Sequence, residues 1–152
     1  MIELRPEPLD GPAGRALLTA LFEEGERIYP AITPDNPGPS ATPDELAPPG
    51  GMFLVAYVGD EAAGCGGIKR LSDEAAELKR LYVTPNLRNR GIARALITGL
   101  GDAARDIGYE VIRLDTGDRQ PAALRVFRAT GYREIGDYNG NPYASYWFEK
   151  LL

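Results

Sequence analysis

Between Val83 and Leu100 the chain reads VTPNLRNRGIARALITGL, where Arg88, Arg90 and Arg94 surround Gly91 just before an apolar helical repeat. The first backbone N–H groups of a helix lack intrahelical partners and carry partial positive charge, so a helix that opens here holds an anion. Glycine lets the backbone come close, Ala93 keeps the next turn small, and three guanidinium groups add cationic donors. That combination suits a pyrophosphate. Proton transfer is constrained by an absence: among 152 residues there is no histidine, which excludes a histidine base, a Ser-His-Asp triad and imidazole metal ligation. Carboxylates, tyrosine, lysine or water must serve instead. Glu77 opens the strand that leads into this loop, where it can take a proton from an ammonium acceptor directly or through water. The alternative for Glu77 is a strand-end pair with Lys79 or Arg80 at the surface. The lone Cys65, in AAGCGGI, reads as a small buried strand residue and not as a nucleophile.

The elements that position these groups follow from periodicity and turn residues. Met1 to Arg5 alternates as a strand, Pro6 to Gly11 turns, and Ala16, Leu17, Ala20, Leu21 and Ile28 have helical spacing. Seven prolines between Pro30 and Gly51 exclude regular structure apart from a short turn near Asp44 to Leu46. A loop of that length reads as a substrate-side lid or a connector. Met52 to Val58 is a strand, Gly59 and Asp60 make a hairpin, and Ala62 to Leu71 returns antiparallel. Then come a strand from Glu77 to Thr84, a helix from Arg90 to Ile107, a buried strand from Glu110 to Leu114 and a helix from Pro121 to Ala129. Strands from Tyr132 to Ile135 and Ser145 to Leu151 finish the chain. This order predicts an α/β or α+β fold, a mixed sheet covered by helices, in one domain over residues 1–152.

Arg88, Gly91 and Ala93 fit the R/Q-x-x-G-x-G/A pattern of the GNAT superfamily of N-acetyltransferases. Downstream, RQPAALRVFRATGYREIG resembles that superfamily's N-x-x-A-x-x-L-Y-x-x-x-G-F helix and strand, through Ala123, Gly131 and Tyr132. The resemblance implies a sheet of about six or seven strands with a splay between two central parallel ones. It implies acetyl-CoA as co-substrate and no metal. The pantetheine arm would lie along Leu81, Tyr82 and Val83, and the pyrophosphate on Arg88, Asn89, Arg90, Gly91, Ile92, Ala93 and Arg94. Gln120 and Phe127 would flank the cofactor. Both depart from the pattern: Gln120 stands where Asn is usual, and Phe127 where a Tyr often protonates the departing thiolate. Protonation must then come from water or another tyrosine, or not be needed for a leaving group as acidic as a thiol; Tyr138, Tyr143 and Tyr146 of the final hairpin are the candidates, with Tyr138 taken as catalytic. Histone-type members carry a catalytic glutamate near the start of the strand that Glu77 opens. The implied reaction is direct transfer of an acetyl group to an amine, with a backbone N–H near Leu81 polarising the thioester carbonyl. The alternatives are a CoA-binding sensor or regulatory module without efficient chemistry, and an enzyme with a longer acyl group or an oxygen acceptor.

Charge narrows the partners. The net charge is −5, yet residues 77–133 hold eleven of the 17 Lys and Arg against six of the 22 acids. A basic half within an acidic chain suits a small polyanion better than a nucleic acid. The acidic remainder favours a cationic acceptor such as a polyamine, an aminoglycoside-like compound or a basic peptide end. With 43% hydrophobic and 26% charged residues, no basic-then-apolar start and no run approaching roughly 18 apolar residues, the expectation is a cytoplasmic globular protein with no membrane partner, as a monomer or homodimer.

Overall fold

The computed structural model describes residues 1–30 and 40–152. Four strands, β1 (Ile2–Pro6), β2 (Met52–Val58), β3 (Glu61–Arg70) and β4 (Ala75–Val83), pair antiparallel in chain order. β5 (Val111–Thr116) then lies parallel to β4. The last strand, β7 (Tyr146–Leu151), inserts antiparallel between β5 and the short edge strand β6 (Arg133–Ile135). The seven strands make one sheet in the order β1-β2-β3-β4-β5-β7-β6.

Alternation along the strands divides the core between the two faces of this sheet. On β2, Leu54 and Ala56 turn toward α2 (Ile92–Ile107) and α3 (Pro121–Ala129), joining Ile97, Leu100, Leu124, Phe127 and Phe148. Phe53 and Val55 turn the other way, onto Leu17 of α1 (Pro12–Ile28) and onto Leu46, Cys65 and Tyr82. Residues 31–39 of the expected lid lie outside the described residues. From 40 to 51 there is no helix or strand, as the prolines require, yet Leu46 is only 2% exposed. Thr42 and Glu45 exchange backbone and side-chain hydrogen bonds at 2.9 and 3.2 Å, and Lys69 Nζ of β3 lies 2.7 Å from Glu45 Oε2. Leu46 thus anchors this end of the Pro-rich segment in the core.

Two irregularities prepare the site. β4 and β5 pair only at Ala75–Val111, Ala76–Ile112 and Glu77–Arg113, after which they part. β4 therefore starts two residues before the expected Glu77, because buried Ala75 and Ala76 join the parallel ladder. Against β3 the register runs from Cys65–Tyr82 to Gly67–Lys79, so Arg80 and Leu81 share Gly66 as partner. That bulge holds Arg80 at φ +60°, and bulges of this kind re-aim side chains beside sites. Downstream, residues 85–87 form one 3₁₀ turn, and α2 starts at Ile92 and not at Arg90, since Gly91 occupies the left-handed region as its N-cap.

Candidate active site

Where β4 and β5 separate, a cavity of about 900 Å³ opens between them, within the range of small-molecule sites. Its walls are residues 78–83 of β4 and 114–116 of β5, with α1 closing one face and α3 with the start of α2 the other.

At one end stands the glycine-led helix. Gly91 has φ +82°, a conformation any Cβ would strain, and no side chain caps α2. The first amides of α2 are thus left for an anion. Arg94 lies on the cavity wall, Arg90 does not, and neither forms an ion pair among the described residues. Arg88 is engaged within the protein: its Nε donates to the Val83 carbonyl at 2.9 Å, and its Nη2 lies 2.7 Å from Glu24 Oε2 of α1. It clamps the end of β4 to α1. Leu81, Tyr82, Val83, Arg88 and Asn89 line the cavity, as do Gly91, Ile92 and Ala93. From the opposite side come Gln120, at the N-terminus of α3, and Phe127. The Phe127 ring is 3% exposed and packs 5.8 Å from Tyr132 and 5.9 Å from Phe148.

At the other end side chains converge from four segments. Tyr138 Oη donates to Glu77 Oε2 at 2.6 Å, so the fold brings together the two residues expected to handle protons. Glu77 Oε1 lies 3.1 Å from Lys79 Nζ, and both side chains are buried, so the pairing weighed for the surface occurs inside the protein. Asn139 Nδ2 donates to Glu77 Oε2 at 3.3 Å and to Asp115 Oδ2, while Trp147 Nε1 donates to Asn139 Oδ1 at 3.0 Å. Burial first, then the hydrogen bond to Glu77 and its charge, push the Tyr138 phenol well above its ordinary range. Among described residues the cavity wall includes Lys79, Asp115 and Tyr143 but not Glu77, Tyr138 or Tyr146. Cys65 is fully buried, and burial pushes its thiol up to about 12, which leaves no thiolate at neutral pH.

α1 is locked over the cavity at its C-terminal end. The Arg119 N–H donates to Tyr29 Oη at 3.0 Å, and Arg119 Nη1 donates to the Ile28 carbonyl at 2.7 Å. Tyr29 stacks so tightly on Gly117 that a Cβ there would lie 2.1 Å from its hydroxyl. Sequence reasoning missed Phe22, Tyr29, Arg80, Asp115 and Arg119 of this wall. Asp115 had a signal: it ends a strand parallel to its neighbour, and open sheets bind ligands beyond the C-terminal ends of parallel strands.

A mixed sheet split between two parallel strands, with an uncapped, glycine-led helix at the mouth of the split, defines an acyltransferase. The chain belongs to the Acetyltransferase (GNAT) family, whose profile matches residues 14–132. It is 31% identical over 136 residues to the IAA acetyltransferase of Azospirillum brasilense, covering 87% of this chain and 88% of that one. A putative acyl-CoA N-acyltransferase from Klebsiella pneumoniae shares the fold with a TM-score of 0.79 at 24% identity, over 100% of this chain and 98% of the other. The PaiA N-acetyltransferase of Thermoplasma acidophilum, solved with coenzyme A, superposes with a TM-score of 0.70 at 17% identity, over 100% and 99%. Among the described residues no helix is long and apolar enough to cross a membrane.

Proposed function

We propose that this chain is an acetyl-CoA-dependent N-acetyltransferase that moves the acetyl group directly to an amine. The observation that carries this reading is the left-handed Gly91 before an uncapped helix, at the mouth of a cavity between two parting strands. Unpaired amides and the unpaired cation of Arg94 fit a pyrophosphate, and the unpaired edge of β4 from Leu81 to Val83 fits an amide-bearing arm. When bound, acetyl-CoA supplies the activated acetyl thioester.

The chain's own residues position and move protons. Asn89 and Gly91 turn the backbone so that the first amides of Ile92, Ala93 and Arg94 meet the phosphates, with Arg90 adding charge from outside the wall. Gln120 and Phe127 close the cavity from α3. A backbone N–H at the Arg80–Leu81 bulge is proposed to polarise the carbonyl. As the C–N bond forms and the C–S bond breaks, sulfur keeps the bonding pair and the nitrogen gives up its proton. Glu77, held by Tyr138 and Lys79, is proposed to take that proton through water. With Phe127 lacking a hydroxyl and the Tyr138 proton held by Glu77, water is the simplest donor to the thiolate.

The test is free CoA release from acetyl-CoA across amines, amino acids and peptides, for wild type beside Gly91→Glu. Release that Gly91→Glu abolishes supports the transferase. Acetyl-CoA binding without release on any acceptor favours the sensor reading, and failure to bind sinks both.

A further inference from the structure

Resting on that reading of the cavity, we infer that Asn139 is a positioning residue of the transfer: its side-chain amide joins Glu77 to Asp115 and docks the β6–β7 loop beside the fork. The orientation of the amide is fixed by its neighbours. Trp147 Nε1, at 3.0 Å, and the Asn141 N–H, at 3.2 Å, can only donate, so the oxygen that receives them is Oδ1. Nδ2 must then face the two carboxylates, and it gives one proton to Glu77 Oε2 and the other to Asp115 Oδ2. Flipping the amide would break every one of these contacts. Asn139 is itself exposed, so hydrogen bonds and not packing hold it. They include the turn beneath it, where Asp137 Oδ1 accepts from the Asn139 and Gly140 N–H groups at 3.0 and 2.7 Å.

Two carboxylates that converge on one point repel, and such a pair shares a proton unless donors stand between them. Each of these has its own cation: Lys79 Nζ lies 3.1 Å from Glu77 Oε1, and the Arg80 guanidinium meets the charge of Asp115. The amide adds two donors in the gap and no charge, which lets the carboxylates persist side by side. Charges on the elements around them are matched elsewhere. Lys69 of β3, in register with Glu77, binds Glu45, Arg113 of β5 binds Glu149 of β7, and Glu24 of α1 binds Arg88. Glu26 of α1 meets the same cavity from an exposed position. The loop that carries Asn139 also brings Asn141, Tyr143 and Ala144 to the cavity, and the Ser145 N–H closes it on the Thr116 carbonyl at 2.9 Å. One amide thus registers the group proposed to take the proton with the wall proposed to meet the amine.

Asn139→Asp is the decisive variant, because it keeps the oxygen that Trp147 and Asn141 bind and turns the shared donor into an oxygen of a third carboxylate. Trp147 is the one tryptophan of the chain, so its emission followed against pH reads the cluster without any acceptor. The variant should show a titration step at least about one pH unit above any carboxyl step of the wild type, since like charges favour the protonated form. Adding Asp115→Asn returns the cluster to two carboxylates and an amide and should remove that step. In CoA release from acetyl-CoA with spermidine, 2-phenylethylamine or L-lysine, Asn139→Asp should lower kcat/KM at pH 7 by about tenfold or more, with the loss shrinking as pH rises. Acetyl-CoA affinity by calorimetry should stay within about twofold. No added step, a step that survives Asp115→Asn, or a rate loss equal at every pH would each overturn the inference. Absence of CoA release by the wild type would instead overturn the transferase reading beneath it, and the emission titration would still decide whether the amide holds the two carboxylates together.

Discussion

The two ends of the cavity are built from different materials. At the end proposed to hold the phosphates the groups are main-chain amides and one left-handed glycine, all between residues 88 and 94. At the end proposed to meet the acceptor they are side chains from far-apart places, of which Lys79 on β4 and Asp115 on β5 reach the wall while Glu77 on β4, Tyr138 and Asn139 in the β6–β7 loop and Trp147 on β7 hold them from behind. A site made of main chain keeps its function through most side-chain changes, whereas one made of side chains is respecified by single substitutions. The first suits a group that never varies and the second an acceptor that does.

If this contrast is real, removing one side chain should damage the acceptor end most. Lys79→Met leaves the buried Glu77 carboxylate without its cation and should lower stability in urea unfolding by about 3–5 kcal/mol. Adding Glu77→Gln should restore more than half of that; a double variant as unstable as the single one would show that the buried charge is not the cause. The phosphate end should instead yield to a backbone change. Gly91→Glu forfeits about two charge-assisted amide bonds worth about 1.5 kcal/mol each, so acetyl-CoA affinity should fall roughly hundredfold in calorimetry.

Side-chain anchors titrate and main-chain anchors do not, which sharpens the contrast with pH. The Lys69 ammonium, and after it the Thr42 amide, hold the Glu45 carboxyl down at about 2, from an ordinary value of 4.5. A depressed folded-state value contributes stability above about pH 4.5 that is lost as pH falls toward 2. Glu45→Gln should flatten the stability-versus-pH curve in that window and lower stability at neutral pH, where the charged carboxylate makes its full contribution. The smallest effect belongs to Tyr132, whose hydroxyl is buried without a hydrogen-bond partner among the described residues. Tyr132→Phe should be neutral or stabilising by up to about 1 kcal/mol, and a clear loss in thermal unfolding would mean that the hydroxyl is satisfied.

Legibility in the sequence followed the same division. The strand into RNRGIA and the helix out of it are consecutive residues, so local periodicity and one glycine sufficed to place them. The boundary error at α2 came from Gly91 itself, counted as helix when its φ of +82° makes it the cap. Nothing local announced that β7 slips between β5 and β6, because that order is decided by which faces the strands bury. The contacts that build the acceptor end span up to 91 residues, as between Arg119 and Ile28, and periodicity carries no information at that range. Tyr138 and Glu77 were named separately from the sequence, and their 2.6 Å hydrogen bond is a product of the fold.

The three-residue contact between β4 and β5 has one more consequence. A strand edge with free N–H and C=O groups on a protein surface is a template for other chains and a route to aggregation. Here such an edge is kept open past Glu77 but turned inward, behind α1 on one side and α3 on the other. A second polypeptide strand meets helices there, while a thin linear chain can enter from the mouth. The same geometry that leaves the sheet unfinished for a ligand thus shields it from the protein's own copies.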